Sequence, residues 1–80
     1  MTMAEAVSKR LNDFLFEQKI TLYKLAKLSG LPVATLQNLY RGKIKSPTLT
    51  VIFKICNGLN ITIQEFFASE LFAENILELE

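Results

Sequence analysis

The sequence predicts an all-α fold, on three observations. Apolar residues recur at helical spacing along almost the whole chain. Two S/T-x-x-E signatures, Thr2 with Glu5 and Thr62 with Glu65, mark helix starts. The chain breakers fall between periodic segments, with Gly30 and Pro32 in one gap and Gly42 and Pro47 in the next. Together they predict a compact five-helix domain over residues 1–80, with a short apolar and acidic extension at 70–80.

The first helix is expected from about Met3 to Gln18. Ala6, Val7, Arg10, Leu11, Phe14 and Leu15 fall on one of its faces, and the apolar members face the core. The second follows Thr21 as N-cap and ends near Ser29. Gly30 is placed for a positive φ, which glycine adopts cheaply. The third begins near Pro32 or Val33, where a missing N–H does no harm, and stops at Gly42. Residues 44–47 form a loop. The fourth runs to about Leu59, capped by Ser46 or by Thr48. Its expected stripe is Leu49, Ile52, Phe53, Cys56 and Leu59. The fifth starts at Thr62, with Ile61 and Phe66 as a hydrophobic staple, and continues through Phe67 towards Leu71.

The extension reads two ways. Glu70, Glu74 and Glu78 stack like charges at helical spacing, whereas residues 77–80 alternate as a strand would. Leu71, Phe72, Ile76, Leu77 and Leu79 are too many apolar groups for a solvated tail. They are expected to pack on this domain's own core or to join two subunits.

Composition excludes several classes. An 80-residue domain buries only roughly 60% of its unfolded surface, so it needs dense packing or a partner. No apolar run reaches the ~18 residues of a membrane span, and the N-terminus lacks a signal-peptide pattern, so a cytoplasmic protein is expected. There is no histidine, and the one cysteine, Cys56, lies in an apolar stripe. A metal site, a cofactor and a catalytic constellation are not expected, and the chain does not read as an enzyme.

A net charge of +1 conceals a segregation of charge. No acid occurs between Glu17 and Glu65, an interval holding Lys19, Lys24, Lys27, Arg41, Lys43, Lys45 and Lys54. Such a basic block attracts phosphates. At its centre, residues 21–41 read as two short helices joined at Gly30. Leu25, Ala26, Leu31, Leu36 and Leu39 are offered to a core. That is the pattern of a helix-turn-helix, whose second helix can lie in the major groove of DNA.

Residues 20–67 resemble the lambda-repressor and Cro type of helix-turn-helix domain, the xenobiotic-response-element family. The matching elements are Leu25-Ala26, Gly30-Leu31, Leu36 with Leu39, Arg41-Gly42-Lys43 and Pro47. Leu49, Ile52, Leu59 and Thr62-Ile63-Gln64-Glu65-Phe66 follow in order. The resemblance implies an all-α domain that binds double-stranded DNA, commonly as a homodimer. It places a DNA-reading position at Leu22, usually glutamine in the family, and others at Pro32, Val33 and Ala34, all apolar here.

Base readout is expected from Gln37 and Asn38, whose amides match the N6 and N7 edge of adenine. Val33 and Ala34 are candidates for contact with thymine methyl groups, or are helix filler or core contacts. Arg41, Lys43 and Lys45 are expected on phosphates, with Thr21, Lys24, Thr48 and Lys19 behind them. Tyr23 offers a phosphate hydroxyl donor, and Tyr40 reads as structural. The expected role is a sequence-specific, repressor-like transcriptional regulator with no small-molecule ligand. The alternative is an antitoxin-like or adaptor module that retains the fold, supported by the apolar Leu22, Pro32, Val33 and Ala34.

Overall fold

The computed structural model describes residues 1–73 and 77. Five α-helices follow one another: α1 Met3–Gln18, α2 Leu22–Ser29, α3 Val33–Tyr40, α4 Leu49–Leu59 and α5 Ile63–Phe67. A 3-10 turn, Glu70–Phe72, closes the described chain, and no strand occurs among the described residues.

Four threonines start four of the helices. Thr2, Thr21, Thr48 and Thr62 each accept, through the side chain, the amide of the residue three positions on. Glu5 and Glu65 return the bond to the threonine amides at 2.9 and 3.1 Å, so both predicted capping boxes form. The bond from the Thr2 backbone N–H holds the Glu5 carboxyl below its ordinary pKa. That support is present near neutrality and is lost as pH falls through the lowered value. Thr48, not Ser46, proves to be the α4 cap. α3 alone begins without a side-chain cap, at Pro32.

The helix ends are terminated by α1. Ser8 Oγ donates to the Tyr40 carbonyl at the end of α3. Gln18 Nε2 donates to the Leu59 carbonyl at the end of α4 (2.8 Å). Arg10 donates from Nε to Phe66 O (2.7 Å) and from Nη2 to Glu65 O (2.7 Å) at the end of α5. A helix leaves its last carbonyls without intrahelical partners, and α1 supplies donors to three such ends. The Arg10 guanidinium also lies 4.4 Å from the centre of the Phe14 ring. Arg10→Met keeps most of the stem but removes the donors. We expect a loss of about 1.5–3 kcal/mol, the range for hydrogen bonds to charged groups, read as a lower urea midpoint with an unchanged slope. An unchanged midpoint would show that the clamp contributes nothing.

The core gathers Val7, Leu11, Phe14 and Leu15 from α1, Leu25 and Ala26 from α2, and Leu36 and Leu39 from α3. Ile52, Ile55, Cys56 and Leu59 come from α4, and Phe66 from α5. Burial pushes the Cys56 thiol above its ordinary pKa, which suits a small inert hydrophobe. The most extensive helix contact is α2 on α4. It closes at Gly58, where a Cβ would stand 2.9 Å from Leu25 Cδ1 and 3.1 Å from both Ser29 Cβ and Ser29 N.

Two expectations fail. Leu49 and Phe53 do not face the core: they are 66% and 52% exposed, and Ile55 is buried instead. α4 is apolar on almost every side, and docking on α2 through Gly58 chooses the buried stripe. α5 does not continue towards Leu71. It ends at Phe67, Ala68 leaves the helical region (φ −80, ψ 68), and Ser69 caps the separate 3-10 turn.

That turn brings Phe72 within 4.8 Å of Phe67 and 6.0 Å of Phe66, ring centre to ring centre. Phe72 therefore packs on its own domain. Leu71 and Leu77 are partly buried. Ile76 and Leu79, expected with them, lie outside the described residues.

Candidate nucleic-acid interface

The turn between α2 and α3 depends on Gly30 at φ 74. A side chain there would meet no atom, so the requirement is backbone conformation alone. Leu31 then drops into the core and sends α3 off in a new direction. Leu36 and Leu39 fix the rotation of α3 by being buried. With about 100° per residue, Ala34 and Arg41 lie opposite that buried pair. Gln37 and Asn38 stand on the two shoulders. Ala34, Asn38 and Arg41 are exposed, whereas Gln37 is half-buried.

The apolar opening of α3 divides. Val33 is half-buried and packs on the core, while Pro32 and Ala34 are exposed. Leu22, at the start of α2, also packs on the core. Packing thus explains the apolar character of Leu22 and Val33. Ala34 is left to present a bare methyl group outward.

Beyond α3 the chain turns through Gly42 at φ 71, and Lys43 N donates to Asn38 O (2.9 Å). This bond closes the helix end and sets the first lysine beside it. Ile44 is partly buried against the core, with the exposed Lys43 and Lys45 on either side. One apolar anchor thereby fixes the loop between two exposed lysines. The Ser8 bond to Tyr40 O ties the same end of α3 to α1.

The secondary candidates occupy helix ends. The Thr21 and Thr48 hydroxyls accept amides from Lys24 and Val51. A hydroxyl that accepts still has its own proton to donate. Lys24 is exposed on the first turn of α2, and Lys19 is the left-handed C-cap of α1 at φ 56. Tyr23 and Tyr40 are both exposed, and with Phe16 and Ile20 they line a shallow depression where α1 ends, α2 starts and α3 ends. Phe16 stands off the core face of α1 and is exposed.

Five helices, with the third displayed behind a glycine turn, define a helix-turn-helix domain. A family model for the Cro/C1-type HTH DNA-binding domain matches residues 10–70. The chain belongs to that family, in line with the resemblance of residues 20–67. A search of curated proteins found no match. Among solved structures, one described as the crystal structure of the prophage Lp1 protein 11 is similar, with 34% identity and a TM-score of 0.77. The alignment covers 88% of this chain and 92% of that one. No helix among the described residues is long and apolar enough to cross a membrane.

Proposed function

We propose that this protein is a sequence-specific, repressor-like transcriptional regulator acting in the cytoplasm. α3 enters the major groove, and two copies occupy one operator. The carrying observation is the outward face of α3, where Ala34, Gln37, Asn38 and Arg41 converge above a helix whose opposite side is buried. The acid-free interval from residue 18 to residue 64 supports it, because α2, the segment after α3 and α4 then present cations without competing carboxylates.

Asn38 and Gln37 read base edges, and Ala34 sits against a thymine methyl. Val33 contributes the outer part of its side chain to the same contact. Arg41, Lys43 and Lys45 hold the backbone, with Thr21, Thr48, Lys24 and Lys19 adding contacts at the flanks. A helix this short reads a few base pairs, so pairing extends the site to two half-sites about one turn, roughly 34 Å, apart.

Fluorescence anisotropy with labelled duplexes tests the assignment. We expect Asn38→Ala to relax preference at one base position, costing about 1–3 kcal/mol on the preferred duplex and little on others. Gln37→Ala should act at a different position and less strongly, since its side chain is half-buried. Unchanged sequence preference in both variants would remove these residues from readout. The adaptor alternative predicts instead that genomic fragments are retained at neither low nor moderate salt.

A further inference from the structure

The proposed DNA contacts crowd around the end of α3, and a hydroxyl from α1 holds that end from behind. A helix leaves its last four carbonyls to find partners, and in α3 these belong to Gln37, Asn38, Leu39 and Tyr40. The amides of Arg41, Lys43 and Gly42 reach the first three, at 3.0, 2.9 and 3.1 Å. The Tyr40 carbonyl instead accepts the hydroxyl of Ser8, from the second turn of α1. We infer that Ser8 is a positioning residue for DNA readout. It fixes where α3 lies along its own axis, so that Asn38, Arg41 and Lys43 meet the duplex in register. The inference deepens the DNA-binding reading and rests on it.

Three features carry this role. Val33, Leu36 and Leu39 hold α3 by burial, and burial is non-directional. It decides which face turns inward but tolerates a slide along the axis. A hydrogen bond weakens steeply as its angle closes, so the Ser8 bond resists that slide. Place is the second feature. Tyr40 directly precedes Arg41 and follows Asn38 by two residues. A shift of its carbonyl is carried to all three contact residues through the turn that Lys43 N closes on Asn38 O. The third feature is the seat of that turn. Ala4, one helical turn before Ser8, is buried, and its carbonyl oxygen lies 4.0 Å from where a Cβ on Gly42 would stand. The Gly42 turn therefore rests on the face of α1 that carries Ser8. Ser8 itself is half-buried with its hydroxyl proton engaged on Tyr40 O, so it acts through α3.

Base edges demand this placement more than phosphates do. A readout constellation must be held to within about 0.5 Å, whereas a lysine on its flexible stem follows a phosphate that has moved. Loss of the bond should therefore fall on the preferred sequence. It cannot exceed what the bond contributes to the aligned position, roughly three- to tenfold for one net hydrogen bond.

The test compares Ser8→Ala and Ser8→Thr in the full chain, on a duplex selected by the wild type from a random pool and on its scrambled counterpart. We expect Ser8→Ala to bind the selected duplex roughly three- to tenfold more weakly and the scrambled one as the wild type does. Ser8→Thr keeps the hydroxyl and should recover most of the preference. In the protein without DNA, amide exchange in Ser8→Ala should quicken more at Lys43 than at Ile55 and Cys56 in α4. An unchanged preference in Ser8→Ala, or an equal loss on both duplexes, would overturn the inference, and so would exchange that quickens equally at Lys43 and in α4. A wild type that retains no duplex overturns the DNA reading instead, and exchange at Lys43 still decides whether Ser8 holds the end of α3.

Discussion

Gly58→Val is expected to unfold this domain or leave it barely stable at room temperature. A side chain at residue 58 points at α2, where Leu25 Cδ1 would lie 2.9 Å and the Ser29 amide nitrogen 3.1 Å from the new Cβ. Leu25 is fully buried, so its side chain yields only by repacking its neighbours in the core. The Ser29 atoms belong to the backbone and the base of the side chain, so α2 itself would have to move. α2 and α4 make the largest contact of the fold, and α2 leads directly into the turn that aims α3.

Gly58→Ala decides whether packing or propensity wins. Alanine gains about 1 kcal/mol of intrinsic helix stability over glycine. Overpacking a close contact costs about 1–3 kcal/mol. We expect the cost to prevail, lowering the melting temperature by several degrees, at about 4–8 °C per kcal/mol for a domain of this size. A higher melting temperature for Gly58→Ala would show that α2 yields readily and that the contact is not close-packed.

Arg41→Ala is expected to weaken binding to every duplex by a similar factor. Arg41 is exposed at the C-cap of α3, beside the Gly42 turn. Its proposed partner is a phosphate, and each neutralised phosphate contributes about −0.9 to the slope of log K against log salt. The slope should therefore become shallower by about one unit. Loss of affinity should approach tenfold at low salt, since one counterion release changes by that factor over a decade of salt. The melting temperature should fall by several degrees at most, because an exposed cation at a helix end contributes only about 0.3–1 kcal/mol. A variant with the wild-type slope would place Arg41 away from the backbone.

Most of the scaffold was legible in the sequence because local chemistry determined it. Threonine caps, the glutamates of two capping boxes and Gly30 act over three or four residues. The helix boundaries followed from them to within a residue or two, except at the end of α5, which stops at Phe67 rather than running towards Leu71. The outward face of α3 was legible for the same reason, since burying Leu36 and Leu39 fixes every other position on a helix. What escaped was decided between elements. α4 reads L-T-V-I-F-K-I-C, so a stripe through Leu49 and Phe53 looks as good as one through Ile52 and Ile55. Only the approach of α2 to Gly58 separates them.

The same limit applied elsewhere. Arg10 looked like a polar intruder on the core side of α1, and its purpose appears only when the end of α5 is set beside it. Gln37 and Asn38 both read as exposed, with Gln37 the favoured reader, whereas the structure half-buries Gln37 and exposes Asn38. Val33 read equally as a base contact or a core contact, and it leans on the core. A residue's neighbours in sequence place it on a helix, but the neighbouring helix decides how much of it remains available.

Selection of bound duplexes from a random-sequence pool, followed by titration of the winner across salt, tests the central claim most directly. We expect enrichment of a short half-site, its recurrence with two-fold symmetry about one helical turn away, and affinity that falls steeply as salt rises. A pool that emerges without sequence enrichment, with no duplex retained even at low salt, would contradict it.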